Sequence, residues 1–478
     1  MVNRLHKWII SGSAMLLPQG ASTEQSPTCQ SIPRVGHSAQ TDHAYQKSYL
    51  TVHGKFQLAL TVSTSWLVLT YWLARPWTHD LAQIVGNFMA VAIVAGIAVV
   101  PGFLNAFLVV SLLVDRRPRR QRLKYYPSVS ILIAAYNEAQ AIAETIHSVA
   151  KQQYPGELEV LVIDDGSRDG TAAIVEALDY PGVKLIRQPR NEGKAAALNR
   201  GLTEAQYDLV ITLDADCYLY KRALRNLVER YAGDPANTRA VAGAVLVRNS
   251  RSNWVTSVQE WDYFHGIAAI KRVQSLYHGT LVAQGAFSIY DRATLLEVGG
   301  WPQCVGEDIV LTWAILRRGF RVGHAEDACC FTNAPDRLTQ FVRQRQRWSR
   351  GMMEAFRQHP GILLQPRMST LFIWWNVLFP WLDLTFTLCF MPGVLAALFG
   401  IYWVAGPMTL ALLPMAMLMN LLMFRIGSWM FFKQGLSVRR NVRGFLLYSL
   451  VYSFILQPAC VAGYASELLG LRKTWGTK

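Results

Sequence analysis

The sequence predicts an α/β domain inserted between two groups of membrane-spanning helices. Hydrophobic residues make up 51% of the 478 residues and charged residues only 17%. The apolar residues are concentrated towards the two ends, whereas residues 125–350 alternate polar and apolar positions as soluble α/β domains do. The formal net charge of +15 arises largely from basic residues near the apolar segments. This distribution indicates contact with membrane lipids and argues against nucleic acid as a partner.

The apolar segments are long enough to cross a bilayer. Residues 56–74 are uncharged for 19 residues and residues 87–114 for 28, whereas about 20 helical residues span the hydrocarbon core. We therefore predict two transmembrane helices within 56–114 and about three within 377–466, near 377–402, 407–431 and 444–465. The intervening chain is expected to form a globular domain at 115–350 and interfacial helices at 351–376, with a tail at 467–478.

Basic residues predict the orientation of these helices. Residues 115–124 carry six basic side chains and residues 433–443 carry four, whereas the segment 403–408 carries none. Because basic loops stay on the cytoplasmic side, we expect the globular domain there. Residues 1–55 are expected to form a loose cytoplasmic extension, with a signal peptide at the short apolar run 8–17 as the alternative.

The globular domain is expected to contain a mostly parallel sheet. Short β-branched runs at 129–135, 159–164, 183–188 and 209–214 alternate with helical patterns, which is typical of a sheet covered on both faces. Ligands of such sheets bind at the carboxyl ends of the strands. The first strand ends in AYNE rather than in a glycine fingerprint, which argues against a dinucleotide-dependent oxidoreductase.

Two strands end in paired acids. The second ends in Asp164 and Asp165, and the fourth in Asp214-Ala215-Asp216. Such carboxylates suit Mg²⁺ or Mn²⁺, and Lys194 on the intervening glycine-led turn suits a phosphate. The alternatives are a helix cap or turn for each acid pair and a solvated surface position for the lysine. The seven cysteines and ten histidines show no spacing typical of a zinc site or a disulfide framework.

Six short motifs occur together in one order. They are AYNE, DDGS, GKAAALN, DAD, GED (306–308) and QRQRW (344–348). In this order, from about residue 128 to residue 357, they resemble the inverting family-2 glycosyltransferases, and among these the processive membrane-bound polysaccharide synthases. The resemblance implies a GT-A, Rossmann-like domain, a UDP-sugar donor and a bound Mg²⁺ or Mn²⁺.

The resemblance also assigns roles to individual residues. The donor-binding residues would be Ala135, Asn137, Glu138, Asp164, Asp165, Lys194 and Asp214, with the two adjacent acids on the uracil and ribose side. Asp216, with Asp214, would hold the metal. The catalytic residues would be Asp308, Glu307, Gln344, Arg347 and Trp348.

Chemical reasoning supports the catalytic residues. Inversion at an anomeric carbon needs one base that takes the proton of the acceptor hydroxyl, and Asp308 is the candidate. Its alternative role is an acidic N-cap of the following helix. Gln344, Arg347 and Trp348 share a helix face, where the arginine suits a departing diphosphate and the tryptophan a sugar. Arg343, Arg345 and Arg350 are expected to face lipid.

The motifs indicate the type of reaction more specifically than they indicate the substrate. Residues 261–292 resemble the poly-β-1,6-N-acetylglucosamine synthases, whereas GED is typical of chitin and hyaluronan synthases, so a synthase of the chitin, hyaluronan or cellulose type stays an alternative. Two further alternatives are an enzyme that transfers a sugar to a lipid acceptor and a catalytically inactive membrane scaffold. The resemblance further implies a growing polysaccharide as acceptor, a small accessory membrane subunit, export machinery and a bacterial inner-membrane location.

Overall fold

The computed structural model describes residues 50–116, 122–433 and 435–472. The extension predicted for residues 1–55 lies outside the described residues, apart from its last positions, and the tail predicted for 467–478 is described only as far as residue 472.

Four helices precede the sheet. They are α1 (Val52–Leu73), α2 (Arg75–Val85), α3 (Asn87–Val94) and α4 (Val100–Val114), with a π-turn at Ala95–Val99 joining the last two. α1 and the continuous helix Asn87–Val114 are long and apolar enough to cross a membrane, and they coincide with the two predicted spans. The short helix α2 was not predicted. It begins with a proline in its first turn, a position where the missing N–H costs no helical hydrogen bond.

One mixed sheet of eight strands, in the order β3-β2-β1-β4-β7-β6-β8-β5, forms the centre of the protein. Its strands are β1 (Val129–Ala135), β2 (Leu158–Asp164), β3 (Val183–Arg187), β4 (Leu209–Leu213), β5 (Tyr218–Leu219), β6 (Thr238–Val247), β7 (Phe287–Asp291) and β8 (Arg321–Thr332). β1 to β4 pair in parallel, and β7 runs antiparallel between β4 and β6. The four predicted strands are confirmed.

The parallel half of the sheet explains where the predicted motifs meet. All five residues of β4 are buried, as is expected of Leu, Val and Ile on a strand that is covered on both faces. The strands β1, β2 and β4 run in the same direction, so their carboxyl ends lie along one edge. The turns that follow these strands carry AYNE, DDGS and DAD, and they are therefore neighbours.

Eight helices cover the sheet or connect its strands. They are α5 (Ile142–Ala150), α6 (Thr171–Ala177), α7 (Lys194–Glu204), α8 (Ala223–Gly233), α9 (Trp254–His265), α10 (Arg272–Leu276), α11 (Arg292–Glu297) and α12 (Glu307–Arg317). A π-turn at Gly266–Lys271 joins α9 to α10 without a break. Turns of this kind are rare and often occur at functional sites.

The C-terminal part of the chain is helical. It comprises α13 (Leu338–Gln358), α14 (Thr370–Thr385), α15 (Met391–Ala397), α16 (Pro407–Lys433), α17 (Val442–Leu450) and α18 (Tyr452–Leu468). A π-turn joins α14 to α15, and the resulting helix begins at Thr370 rather than at residue 377. By length and composition the described residues contain four helices able to cross a membrane, or five if α17 and α18, which meet at 53°, form one span.

Helix α13 is fastened to α18, which corrects one expectation. Arg350 Nε lies 3.3 Å and Arg357 Nη1 3.0 Å from the carboxylate of Glu467, whose side chain is only 1% exposed. A Cβ added at Gly463 would lie 2.6 Å from the carbonyl oxygen of Gln346, so the two helices approach closely there. The expectation that Arg350 faces lipid is wrong, because its guanidinium neutralises a buried acid.

Candidate active site

A cavity of about 1270 Å³ opens at the carboxyl edge of the sheet, between the sheet and α13. All predicted site residues except Asp164 line it: Ala135, Asn137, Glu138, Asp165, Lys194, Asp214, Asp216, Glu307, Asp308, Gln344, Arg347 and Trp348. The structure therefore brings together residues from three strand ends, two helix N-termini and one face of α13.

The two adjacent acids at the end of β2 have different surroundings. Asp164 is 4% exposed, and its Oδ1 accepts the backbone N–H of Ser167 at 3.1 Å. It therefore holds the turn, and it does not line the cavity as the predicted donor contact would. Asp165 does line the cavity, and its carboxylate accepts the N–H groups of Glu192 and Gly193 at 2.8 Å each. Burial raises the pKa of Asp165, although these two hydrogen bonds oppose the shift.

Asn137 joins the AYNE turn to the DDGS turn. Its φ of 55° is in the left-handed region, where asparagine is tolerated better than most residues. Its backbone N–H donates to Ser167 Oγ at 2.9 Å, and its Oδ1 accepts the N–H of Arg168 at 2.9 Å. The next residue, Glu138, donates its N–H to Thr171 Oγ1 at 2.9 Å. The AYNE motif thus shapes one wall of the cavity through its backbone.

Lys194, at the first position of α7, connects the remaining carboxylates. Its ammonium forms an ion pair with Asp214 and lies 3.9 Å from Glu307 Oε1. Burial by itself would lower the pKa of this lysine, but the carboxylates of Asp214 and Glu307 outweigh it and raise the pKa. The lysine is therefore a fixed cation between the DAD and GED turns, and its alternative as a solvated surface residue is excluded.

The DAD turn is suited to a divalent cation. Asp214, Asp216 and Cys217 each place a potential ligand atom within 4.8 Å of the others. A hydrogen bond with Cys330, and then burial, raise the pKa of the Cys217 thiol. The two carboxylates line the cavity and offer the hard oxygen atoms that Mg²⁺ and Mn²⁺ prefer. Their chemistry fits the predicted metal.

The acid pair of the GED motif forms the first turn of α12. Gly306, not Asp308, is the N-cap of this helix, although Asp308 Oδ1 accepts the backbone N–H of Ile309 at 2.8 Å. Glu307 is 7% exposed. Burial and the neighbouring carboxylate of Asp308 raise the pKa of Glu307 to about 7, against the opposing effect of Lys194. The two acids are thus placed in different environments, and Asp308 is the more accessible of the two.

Gln344, Arg347 and Trp348 form the wall that α13 contributes to the cavity, as the shared helix face predicted. The Trp348 side chain is 46% exposed and presents its ring to the cavity. Arg345 also lines the cavity, but it is only 4% exposed, and its Nη2 lies 2.9 Å from Asp262 Oδ2. The expectation that Arg345 faces lipid is therefore wrong, whereas Arg343 is exposed as expected.

The lining residues that sequence reasoning missed include three from the segment 261–271. Tyr263 lies 6.2 Å from Trp348 between ring centroids, and Asp262 pairs with Arg345. Lys271, at the end of the π-turn, donates to the carbonyl of Val282 at 3.2 Å. Burial lowers the pKa of Lys271 to about 8. Their segment, WDYFHGIAAIK, has an ordinary helical pattern, which gives no indication that these side chains line a cavity.

A mixed sheet with acidic turns at one edge and an acid pair on a facing helix is the arrangement of GT-A glycosyltransferases. Residues 130–299 match the family model described as "Glycosyl transferase family 2". Residues 130–299 of the central domain are therefore similar to the family-2 glycosyltransferases. A mannosyltransferase of Pyrobaculum calidifontis, solved in complex with GDP-Man and Mn²⁺, has the same fold, with a TM-score of 0.51 and 19% identity over 88% of this chain and 99% of that one.

Curated relatives resemble the central part of the chain. A poly-β-1,6-N-acetyl-D-glucosamine synthase of Staphylococcus aureus (strain COL) is 33% identical over 232 residues, which are 48% of this chain and 55% of that protein. The enzyme of the same name from Staphylococcus epidermidis is 31% identical over 247 residues, which are 51% of this chain and 59% of that protein. The chain thus spans little more than half the length of these relatives.

Proposed function

We propose that this protein is a membrane-embedded, inverting β-glycosyltransferase that polymerises a UDP-activated hexose. UDP-N-acetylglucosamine is the favoured donor, because the two curated relatives described above are poly-β-1,6-N-acetyl-D-glucosamine synthases. The observation that carries the proposal is a single cavity that joins the acidic strand ends, the Glu307–Asp308 turn and the Arg347–Trp348 face of α13. The apolar helices on both sides of the domain would place the cavity at the cytoplasmic face of a bacterial inner membrane and pass the polymer across it.

The size of the cavity supports a large acceptor. Small-molecule sites usually measure about 300–1,000 Å³, whereas this cavity has about 1270 Å³. A nucleotide sugar at the strand ends therefore leaves room for the end of a polymer next to Trp348. The ring of Tyr263, 6.2 Å from that of Trp348, widens the aromatic surface on which a sugar can lie.

The residues suit an inverting displacement. Asp308 would take the proton of the acceptor hydroxyl as that oxygen attacks the anomeric carbon of the donor, and the diphosphate would leave on the opposite side. Arg347 would stabilise the negative charge that develops on the diphosphate. Lys194, held between Asp214 and Glu307, would place a second cation at the donor. Asp165 would shape the nucleoside pocket through the loop that it anchors at Glu192 and Gly193.

A divalent cation held by Asp216 and Asp214 would neutralise the diphosphate of the donor. Asp214 then has two partners, because Lys194 already pairs with it. The two carboxylates outnumber the one ammonium group, so the DAD turn keeps a net negative charge that favours a divalent cation.

The test is turnover by the purified full-length chain in detergent. The protein is incubated with single UDP-sugars and Mg²⁺ or Mn²⁺, UDP release is measured, and the product is digested with linkage-specific hydrolases. We expect UDP-N-acetylglucosamine to give a long product that a β-1,6-specific hydrolase degrades. Asp308→Asn serves as the matched inactive control. A lipid-linked product of one sugar would overturn polymerisation, and the absence of UDP release with every donor would overturn the glycosyltransferase itself.

A further inference from the structure

Helices α12 and α13 meet through two glycines. A Cβ added at Gly306 would lie 2.5 Å from the Cα of Gly351, and one added at Gly351 would lie 2.7 Å from the Cα of Gly306. No side chain fits at such a distance. The backbone that begins the GED helix is therefore in direct contact with the helix that carries Arg347 and Trp348.

A hydrogen bond from the same face of α13 reinforces this contact. Glu354 is 3% exposed, and its Oε2 accepts the backbone N–H of Gly306 at 2.9 Å. Gly306 is the N-cap residue of α12 and has no side chain to cap the helix. Because residues three, four or seven apart lie on one side of a helix, Glu354 and Gly351 continue the face that presents Arg347 to the cavity.

We propose that Glu354 is a positioning residue for glycosyl transfer, which sets the distance between Asp308 and the Arg347–Trp348 face. This inference rests on the function proposed above. The base and the arginine act on opposite sides of the same anomeric carbon, so their separation has to match one transition state. Glu354 contacts neither substrate. It binds the start of α12 to α13, and the close contact of Gly306 with Gly351 fixes the distance between the two helices.

Three variants of Glu354 separate the effect of side-chain length from the effect of charge. Glu354→Gln keeps an oxygen at the same distance without the charge, Glu354→Asp keeps the charge but withdraws the oxygen by one methylene, and Glu354→Met keeps only the volume. Small misplacements of reacting groups cost up to about 10²-fold in rate, so we expect kcat to fall about tenfold or more in the Asp and Met variants and to stay within about threefold in the Gln variant. The KM for the donor should hardly change, because the strand-end residues that bind it are untouched.

Glu229→Gln is the matched control for loss of a buried carboxylate. Glu229 is 7% exposed, accepts from Tyr126 and Arg225 on α8 and does not line the cavity. The Glu229→Gln substitution should lower the thermal unfolding midpoint, while kcat per folded molecule stays the same. An Asp variant as active as the Gln variant, or losses of kcat that merely follow the folded fraction, would overturn the positioning role. A wild-type protein without UDP release would overturn the proposed function and this role with it.

Discussion

Arg345 lies over the ring of Trp348, with its guanidinium carbon 4.0 Å from the ring centroid. Asp262 holds the same guanidinium at 2.9 Å, and the arginine is only 4% exposed. The exposed aromatic wall of the cavity therefore rests on a buried ion pair. Burial would lower the pKa of Arg345, but Tyr452, Asp262 and Tyr263 outweigh this effect and raise it, so the positive charge is permanent.

Arg345→Met should disorder the Trp348 ring and shorten the product while donor affinity is retained. Breaking a buried ion pair typically costs about 3–5 kcal/mol of folding free energy, whereas replacing both partners by apolar residues is often tolerated. We therefore expect Arg345→Met with Asp262→Leu to recover thermal stability but not product length. Arg225→Met is the control, since Arg225 also pairs with an acid, Glu229, and lies over a tyrosine ring. Tryptophan fluorescence and product sizing measure the two effects.

Removal of the divalent cation should abolish UDP release. Asp214 and Asp216 are the carboxylates that would hold it, and Asp216→Asn should have the same effect as a chelator. The thermal midpoint of the variant should stay close to that of the wild type, because Asp216 is only partly buried and the amide keeps the shape of the carboxylate. Cys217→Ala is the control, since Mg²⁺ and Mn²⁺ prefer oxygen ligands to sulfur. Full activity in excess chelator would contradict the metal assignment.

Asp308→Asn should reduce turnover by roughly 10²–10⁴-fold, the usual cost of losing a general base. Donor binding should persist, because the amide has the shape of the carboxylate. Equilibrium binding of UDP and steady-state UDP release, measured on the same preparation, separate the two quantities. If the variant kept a third of the wild-type turnover, Asp308 would have a structural role and would not be the general base.

Arg347→Lys and Trp348→Ala should fail in different ways. The lysine keeps the charge but loses the planar guanidinium, so kcat should fall much more than donor affinity. Trp348→Ala should lose the acceptor and yield short products or free sugar, with UDP release partly retained. Product length and UDP release are measured side by side for both variants. Equal losses in both assays would argue against separate roles.

Glu307 should make stability depend on pH. Its pKa is raised from 4.5 to about 7, first by burial. A raised pKa means that the carboxyl group stabilises the fold fully below pH 4.5 and that this contribution is lost as the pH rises through about 7. The wild type should therefore lose thermal stability relative to Glu307→Gln between pH 5 and 8. In Glu144, a hydrogen bond from Arg248 lowers the pKa, so the difference between Glu144→Gln and wild type should stay constant over that range.

The sequence was sufficient to predict the parallel strands and the edge at which the motifs meet. Continuous runs of Val, Ile and Leu identify buried strands, and parallel strands necessarily bring their carboxyl ends together. It could not assign the two adjacent acids of the second strand. Asp164 is the last residue of β2 and Asp165 is the first residue of the turn, and only the packing of that turn determines which carboxylate reaches the cavity.

The arginines of α13 show a second limit. Helical spacing correctly placed Gln344, Arg347 and Trp348 on one face. It assigned Arg345 and Arg350 to lipid because charged residues on the other faces of a helix next to a membrane usually face headgroups. Their actual partners, Asp262 and Glu467, are distant in sequence. A single sequence contains no signal that joins such residues.

The contact between α13 and α18 determines which pieces of the chain are useful. A fragment that ends before α18 would keep every residue that lines the cavity, yet it would remove Glu467 from beneath Arg350 and Arg357. The guanidinium groups of Arg350 and Arg357 would then lack their counter-ion. Helix α13, which carries Trp348, would lose its packing against α18. A water-soluble catalytic fragment is thus a poor substitute for the intact protein in inhibitor screening, because its acceptor half would be shaped differently.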